Sequence, residues 1–217
     1  MNLSALRSTF RVRAGDTKRP YLWSDDEVNS YINEAYTEAV DRGLVIYDRE
    51  SFTVDVEVGV TNYQLDPAII RVKGAEVTSR AGVELDDPEP MRLCDRRYDF
   101  TYREYQDSEA YRIEEDGMFV LAFTPTEVSV IALEVHRYPD PLESDDDEPQ
   151  IQPIYHYKML SWALKLAYLK QDADTLDPSA SEKHDMEFSR TFGPPKTAQD
   201  HRQRRRRQAR SYKTPGY

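Results

Sequence analysis

The chain has 217 residues, 29 of them basic and 40 acidic, and its formal net charge is −11 at pH 7. It lacks the ~20 consecutive apolar residues of a membrane-spanning helix, and its single cysteine excludes an intrachain disulfide. These properties predict a soluble protein of a reducing compartment, with one large domain or two small ones.

The first fifty residues are predicted to be helical. Apolar residues recur every three to four positions from Leu3, which is typical of a first helix. Ser24 and Glu27 form the capping-box pattern Ser-x-x-Glu, with Trp23 as the apolar residue before the cap, and predict the start of a second helix. An apolar stripe at helical spacing follows this box and ends near Gly43.

The hydrophobic period then changes from 3.6 to 2, which predicts strands over roughly ninety residues. Apolar and polar residues alternate over Phe52–Val58 and again over Val128–Tyr138. Between them, Ala81-Gly82 and Asp116-Gly117 are turn signals, and the second is typical of a β-hairpin. Residues 88–107, which begin with Pro88 and Pro90, are ambiguous, and 92–105 allow a short helix.

Helical spacing returns after the acidic segment Glu143–Glu148. The residues from Ile154 to Ala167 are apolar around most of a helix circumference, which predicts a central helix. Replacing Trp162 of this helix is therefore expected to cost more stability than replacing Trp23. Asp177 is predicted to cap a last helix, which ends before Gly193 and two prolines.

These elements predict an α+β fold: a four-helix bundle built from both chain ends, with an inserted β-rich module and an extended C-terminal arm. The two changes of period define the borders of the module. The predicted boundaries are 1–50 for the N-terminal helices, 51–140 for the β module, 141–152 for an acidic linker, 153–192 for the C-terminal helices and 193–217 for the arm.

Charge is distributed unevenly along the chain. Residues 201–217 carry seven basic and no acidic side chains, whereas residues 1–200 carry 22 basic and 40 acidic ones, a formal charge of −18. The polar arm cannot bury a core of its own, so it is expected to be disordered until it binds an acidic partner. The candidate partner-binding residues are Arg202, Arg204, Arg205, Arg206, Arg207, Arg210, Tyr212 and Tyr217.

The arm allows three interpretations. Its four consecutive arginines could contact nucleic-acid phosphates without sequence preference, or they could be a localisation signal. As a docking arm, the segment would lie on a partner's surface, with its arginines paired to carboxylates and Tyr212 and Tyr217 in pockets. The acidic body repels nucleic acid and therefore disfavours the first interpretation.

The sequence contains no recognisable catalytic or metal-binding motif. The four histidines and Cys94 lack metal-ligand spacing, and there is no glycine-rich phosphate-binding motif. Asp172-x-Asp174-x-x-Asp177 is similar to the start of a calcium loop, but it lacks the required glycine, and Lys183 stands where a bidentate glutamate is needed. We therefore expect no enzymatic activity, no metal and no cofactor.

Five segments of the chain share a pattern with a known protein family. They are Tyr21–Ala35, Asn62–Pro67, Tyr138-Pro139, Ile151–His156 and Phe188–Gly193. Together they resemble the head-to-tail adaptor, or connector, proteins of short-tailed bacteriophages. The resemblance covers about residues 3–193 and does not include the basic run Arg204–Arg207.

The resemblance implies a structural virion protein, located in the neck or tail and assembled in the host cytoplasm, with no membrane partner. Its copies would form a homo-oligomeric ring, usually a dodecamer, beneath the portal protein. The ring would join the capsid vertex to a tail or nozzle protein and continue the channel for packaged DNA, and the C-terminal arm would dock on the portal. Two alternatives stay open: a nucleic-acid-binding packaging or regulatory protein that uses the basic arm, and a generic interaction domain with a disordered tail.

Overall fold

The structure is a computed structural model, and it describes residues 1–94, 110–114, 116–172 and 174–206, the last three without their side chains. The chain divides into two compact units. The helical unit comprises Met1–Ile46 and Tyr138–Pro195. The β unit comprises Tyr47–Arg137 and the residues from Lys196 onwards.

The helical unit contains α1 (Leu3–Ala14), α2 (Asp25–Gly43), α3 (Pro153–Tyr168) and α4 (Pro178–Phe192). The predicted capping box is confirmed, because Ser24 Oγ accepts the N–H of Glu27 and the Glu27 carboxylate accepts the N–H of Ser24. Asp177 caps α4 as predicted. The indole of Trp162 in α3 packs against the ring of Phe188 in α4, with centroids 5.1 Å apart.

A buried arginine holds the connection between α1 and α2. Arg11 Nη1 lies 2.6 Å from Asp16 Oδ2, and its Nη2 donates to Asp25 Oδ1 at 2.6 Å and to the Trp23 carbonyl at 3.1 Å. Asp16 is itself buried and also accepts the backbone N–H of Leu22. These bonds fix the angle at which the chain enters α2.

The β unit contains nine strands in its described part: β1 (Tyr47–Asp48), β2 (Thr53–Val56), β3 (Asn62–Gln64), β4 (Ile69–Arg80), β5 (Val83–Pro90), β6 (Arg92–Leu93), β7 (Ala110–Ile113), β8 (Met118–Leu121) and β9 (Ser129–Arg137). In the first sheet, β9 pairs with β4 on one side and with β1 and β2 on the other, and β5 pairs with β4. The second sheet has the order β3-β8-β7-β6, with β6 and β7 parallel. Both sheets contribute to one apolar core, which includes Phe119 and Ile131.

Both predicted turns are confirmed. Ala81 and Gly82 join β4 to β5 with φ angles of 48° and 78°, the left-handed values that a two-residue hairpin turn requires. Gly117, with φ 86°, lies in the turn between β7 and β8, which are antiparallel neighbours. Of the ambiguous segment 88–107, residues 88–90 end β5, residues 92 and 93 form β6, and residues 95–107 lie outside the described part of the chain.

The predicted fold class, a four-helix bundle with an inserted β-rich module and an extended arm, is wrong. The described chain has five helices, and its strands form two sheets. Period-2 alternation identifies strands but does not specify their partners, so the second sheet and its parallel pair could not be predicted. The fifth helix, α5 (Ala198–Arg206), replaces the first part of the predicted extended arm.

Candidate partner-binding surface

The C-terminal segment leaves the helical unit at a fixed point. Gly193 ends α4 with φ 95°, a backbone conformation that favours glycine. The guanidinium of Arg42, in α2, donates to the Gly193 carbonyl and to Ser189 Oγ, each at 3.2 Å, and to Glu38 Oε1 at 2.6 Å. Arg42 is 5% exposed and lies over the ring of Trp162. The root of the segment is therefore tied to the core of the helical unit.

A local cap restarts a helix after the proline pair. Thr197 Oγ1 accepts the N–H of Asp200 at 3.2 Å, and Asp200 Oδ2 accepts the N–H of Thr197 at 2.9 Å. This is the reciprocal arrangement of a capping box. The following alanine, glutamine and arginine residues are good helix formers. The pattern Thr197-x-x-Asp200 was therefore the sequence signal that the extended-arm prediction missed.

Four of the eight predicted partner-binding residues belong to α5. Arg202 is exposed, and Arg204, Arg205 and Arg206 form the last turn of the helix. Arg207, Arg210, Tyr212 and Tyr217 lie outside the described residues. Arginines at positions 202 and 206 are spaced i,i+4, where like charges destabilise a helix by a few tenths of a kcal/mol. Partner carboxylates would remove that cost, and binding through these residues stays a prediction.

Among the described strands of the β unit, β5 carries the most exposed carboxylates. Glu84, Asp86 and Asp87 are exposed and form no ion pair with any described residue. This strand is at the edge of its sheet, and Pro88 and Pro90 remove backbone donors from it. Prolines and charges are the usual means of protecting an edge strand from pairing with another chain. A partner of β5 would therefore be recognised by side-chain charge.

The acidic segment 143–148 has a local structural role. The backbone carbonyls of Asp147 and Asp145 accept the first two N–H groups of α1, and Arg7 pairs with the Asp145 carboxylate at 2.6 Å. The N–H groups of Ser144 and Glu143 donate to the Asp147 carboxylate and lower its pKa. The segment thus caps a helix N-terminus, where negative charge is favourable.

Ser161, His184 and Glu187 are the residue types of a catalytic triad, but their geometry differs. Glu187 Oε2 accepts Ser161 Oγ at 3.2 Å and contacts His184 Nδ1 at 3.3 Å, so the carboxylate lies between the serine and the histidine. Arg13 reaches the same carboxylate oxygen at 3.3 Å. Burial lowers the pKa of His184, although Glu187 opposes this shift. The cluster joins α1, α3 and α4 and does not pair a nucleophile with a base.

The residues that the structure describes bear on two other kinds of site, a metal centre and a membrane-spanning helix. No group of three or more histidine, cysteine, aspartate or glutamate side chains is arranged to hold a metal ion there. In the same part of the chain, no helix combines the length and the apolar content needed to cross a bilayer.

Comparison with protein families identifies the chain. The family described as SU10 adaptor protein matches residues 1–212, which include both units and α5, whereas none of the curated proteins matches. The resemblance of the sequence to bacteriophage head-to-tail adaptors is thereby confirmed. The chain belongs to the SU10 adaptor protein family and is a structural adaptor of a bacteriophage virion.

Proposed function

We propose that copies of this adaptor form a closed ring of about twelve subunits beneath the portal protein, assembled in the host cytoplasm. The ring joins the capsid vertex to a tail or nozzle protein and continues the channel through which packaged DNA passes. The observation that carries the proposal is the family match over residues 1–212.

The charge distribution supports a channel role. Residues 1–200 have a formal charge of −18, and three carboxylates of β5 are exposed without an ion-pair partner among the described residues. A surface of this sign repels the DNA backbone, which lets DNA slide past without binding. The same repulsion disfavours the alternative of a nucleic-acid-binding packaging or regulatory protein. Salt-dependent retardation of plain duplex DNA by the free protein would instead support that alternative.

The C-terminal segment supplies the contact with the portal. Its arginines match the geometry of carboxylates, to which a guanidinium can make two parallel hydrogen bonds. The bonds from Arg42 to the Gly193 carbonyl and to Ser189 fix where the segment begins. The length of the segment therefore limits how far from this point it can contact a partner. Tyr212 and Tyr217 would anchor the tip in pockets of the partner.

Removal of the segment tests the portal contact. Deleting residues 196–217 should leave the helical unit and the nine-stranded part of the β unit folded and abolish attachment to portal-containing particles, measured as copies per particle. Changing Arg204–Arg207 to glutamine should weaken attachment, and high salt should reproduce part of that loss in the unaltered protein. The matched control neutralises four exposed basic residues of the body, Lys18, Lys73, Lys183 and Arg190. Unchanged occupancy after the deletion would place the binding surface elsewhere.

Self-association tests the ring. Acidic bodies repel one another when they are crowded, so ring closure should need the complementary surface of the portal. The free protein should therefore sediment as a monomer or small oligomer at low salt. A stable large ring at low salt without a partner would contradict this requirement, although it would leave the adaptor role intact.

A further inference from the structure

The β unit has an open cavity of about 200 Å³ near the start of β4. Its lining comes from the turn that precedes β4 and from the turn between β7 and β8. Leu65 and Ile70 are buried and Ile113 is half-buried, so they form an apolar floor. Asp66 and Asp116 line the same cavity and are exposed, and they form an acidic rim in which two carboxylates outnumber the one basic side chain of the lining, the half-buried Arg71.

An irregular strand creates the apolar floor. Against β9, Ile69 pairs with Arg137 and Arg71 pairs with the next residue of β9, which leaves Ile70 as an extra residue in β4. This is a β-bulge, a feature that re-aims a side chain. As a result, Ile69 and Ile70 are adjacent yet both buried. Both residues line the cavity, but Ile69 also belongs to the apolar core, whereas Ile70 is outside it.

The size of the cavity restricts what it can bind. Pockets for cofactors and drug-sized ligands usually measure about 300–1,000 Å³, whereas an apolar cavity of about 150 Å³ is enough for a benzene ring. This cavity therefore suits a single aromatic or long aliphatic side chain. Such a side chain could be the anchor of a protein segment, because binding energy concentrates on a few buried aromatic residues.

The rim determines the charge of the occupant. One carboxylate oxygen of Asp66 accepts the N–H of Ala68 at 2.7 Å, and one of Asp116 accepts the N–H of Met118 at 3.2 Å. Neither carboxylate forms an ion pair within the described residues, so each keeps an oxygen available to a cation. A lysine or arginine next to the anchor would be attracted, and a phosphate backbone would be repelled.

We propose that this cavity binds a partner protein through an aromatic side chain flanked by lysine or arginine. The ring would lie on Leu65, Ile70 and Ile113, and the cation would lie between Asp66 and Asp116. No described residue of α5 lines the cavity, although α5 lies next to β4, the strand whose start lines it.

A peptide of defined sequence tests the proposal on the full-length protein. The probe is the capped peptide Arg-Ser-Tyr-Lys, with Arg-Ser-Ser-Lys and Glu-Ser-Tyr-Glu as controls that lack the anchor and the cations. In protein with labelled isoleucine methyl groups, the probe should shift the NMR signals of Ile70 and Ile113 with a dissociation constant on the order of 1 mM. The control peptides should bind at least about fivefold more weakly, from the loss of roughly 1 kcal/mol.

Isosteric variants of the rim separate the two kinds of contact. Asp66→Asn and Asp116→Asn keep the oxygen that accepts the turn N–H, so the fold should persist while the affinity for the probe falls about twofold to fivefold each. Asp55→Asn, an exposed carboxylate of β2, should have no effect. The proposal is overturned if Ile70 and Ile113 do not respond, or if the anchorless peptide binds equally well. It is also overturned if Tyr212→Ser shifts these signals without any peptide, since the chain's own C-terminal segment would then be the occupant.

Discussion

The helical unit and the β unit differ in whether they bury polar side chains. Among the described residues, every buried polar or charged side chain belongs to the helical unit, including Arg11, Asp16, Asp41 and Arg42. In the described part of the β unit no polar or charged residue is buried as a whole, although the Nε atoms of Arg71 and Arg112 are. Strand alternation explains why polar side chains of the β unit are exposed, because successive side chains point to opposite faces of a sheet, polar ones to one face and apolar ones to the other.

The difference teaches where charge supports the fold and where it is available for partners. In the helical unit, charged side chains join segments that are distant in sequence, as when Arg42 bonds Ser189 and Gly193. In the β unit, the carboxylates of β5 and of the cavity rim face solvent. Variants that remove buried charge or buried aromatic area should therefore cost the most stability.

The largest effect is expected at Trp23. Its indole is 1% exposed and makes edge-on contacts with the rings of Phe10 and Tyr168, whereas Trp162 is 9% exposed. Trp23→Ala should lower the free energy of unfolding by about 3–5 kcal/mol, and Trp162→Ala should not exceed it. The sequence predicts the larger loss of stability at Trp162, whereas burial predicts it at Trp23. Chemical denaturation of both variants measures this order, and a clearly smaller loss at Trp23 would restore the original expectation.

The next effect is expected at Arg11. Arg11→Met keeps much of the side-chain volume but leaves Asp16, whose side chain is 2% exposed, without its counter-ion. Removing one partner of a buried pair typically costs about 3–5 kcal/mol. We expect about 3 kcal/mol in chemical denaturation, because Asp16 keeps the N–H of Leu22. In the double variant Arg11→Met, Asp16→Asn, part of this loss should return, and no recovery would show that the loss came from packing.

Local signals explain which elements could be predicted. The capping box of Ser24 and Glu27 and the cap at Asp177 involve residues three positions apart, so the sequence alone predicts these helix starts. The box of Thr197 and Asp200 is equally local, but the preceding prolines and the arginine run favoured an extended arm. The partners of each strand are distant in sequence and had no comparable signal.

The two candidate surfaces, the basic C-terminal segment and the cavity of the β unit, also differ in whether the sequence alone predicts them. The basic segment is visible in composition, because seven basic residues fall within the last seventeen. The cavity is not visible in composition, since its lining joins residues between 64 and 72 to Ile113, Asp116 and Gly117 through the pairing of β3 with β8. The bulge at Ile70 also depends on register with β9, which a single strand does not encode.

Asp48 is a charged side chain of the β unit that should support the fold, as the buried charges of the helical unit do. Burial opposes ionisation of this side chain, but the N–H groups of Ser51 and Glu50 and the guanidinium of Arg137 outweigh it and lower the pKa to about 2. The depressed pKa stabilises the fold above about pH 4, and this contribution is lost as the pH falls through 2.

Asp48→Asn should therefore lower the free energy of unfolding by about 2 kcal/mol at pH 7. The difference between the variant and the unaltered protein should shrink as the pH falls from 4 to 2. Denaturation at several pH values measures this trend. A difference that does not change with pH would mean that the carboxylate acts through hydrogen bonds that asparagine cannot make, and not through its charge.

The smallest effect is expected at β5. Changing Glu84, Asp86 and Asp87 to their amides removes three charges from an exposed strand, and we expect the free energy of unfolding to stay within about 0.5 kcal/mol. This variant loses three charges, and Arg11→Met loses one. If burial decides the cost, the single change should destabilise the protein several-fold more than the triple change.

A matched triple variant controls for net charge. Glu143, Asp174 and Glu182 are exposed carboxylates of the helical unit, and their amides change the formal charge by the same amount. Both triple variants should unfold at nearly the same denaturant concentration as the unaltered protein, because solvent screens exposed charges. A loss above about 1 kcal/mol at β5 alone would mean that its carboxylates support the fold of the β unit, and they would then be poor candidates for a surface that repels DNA.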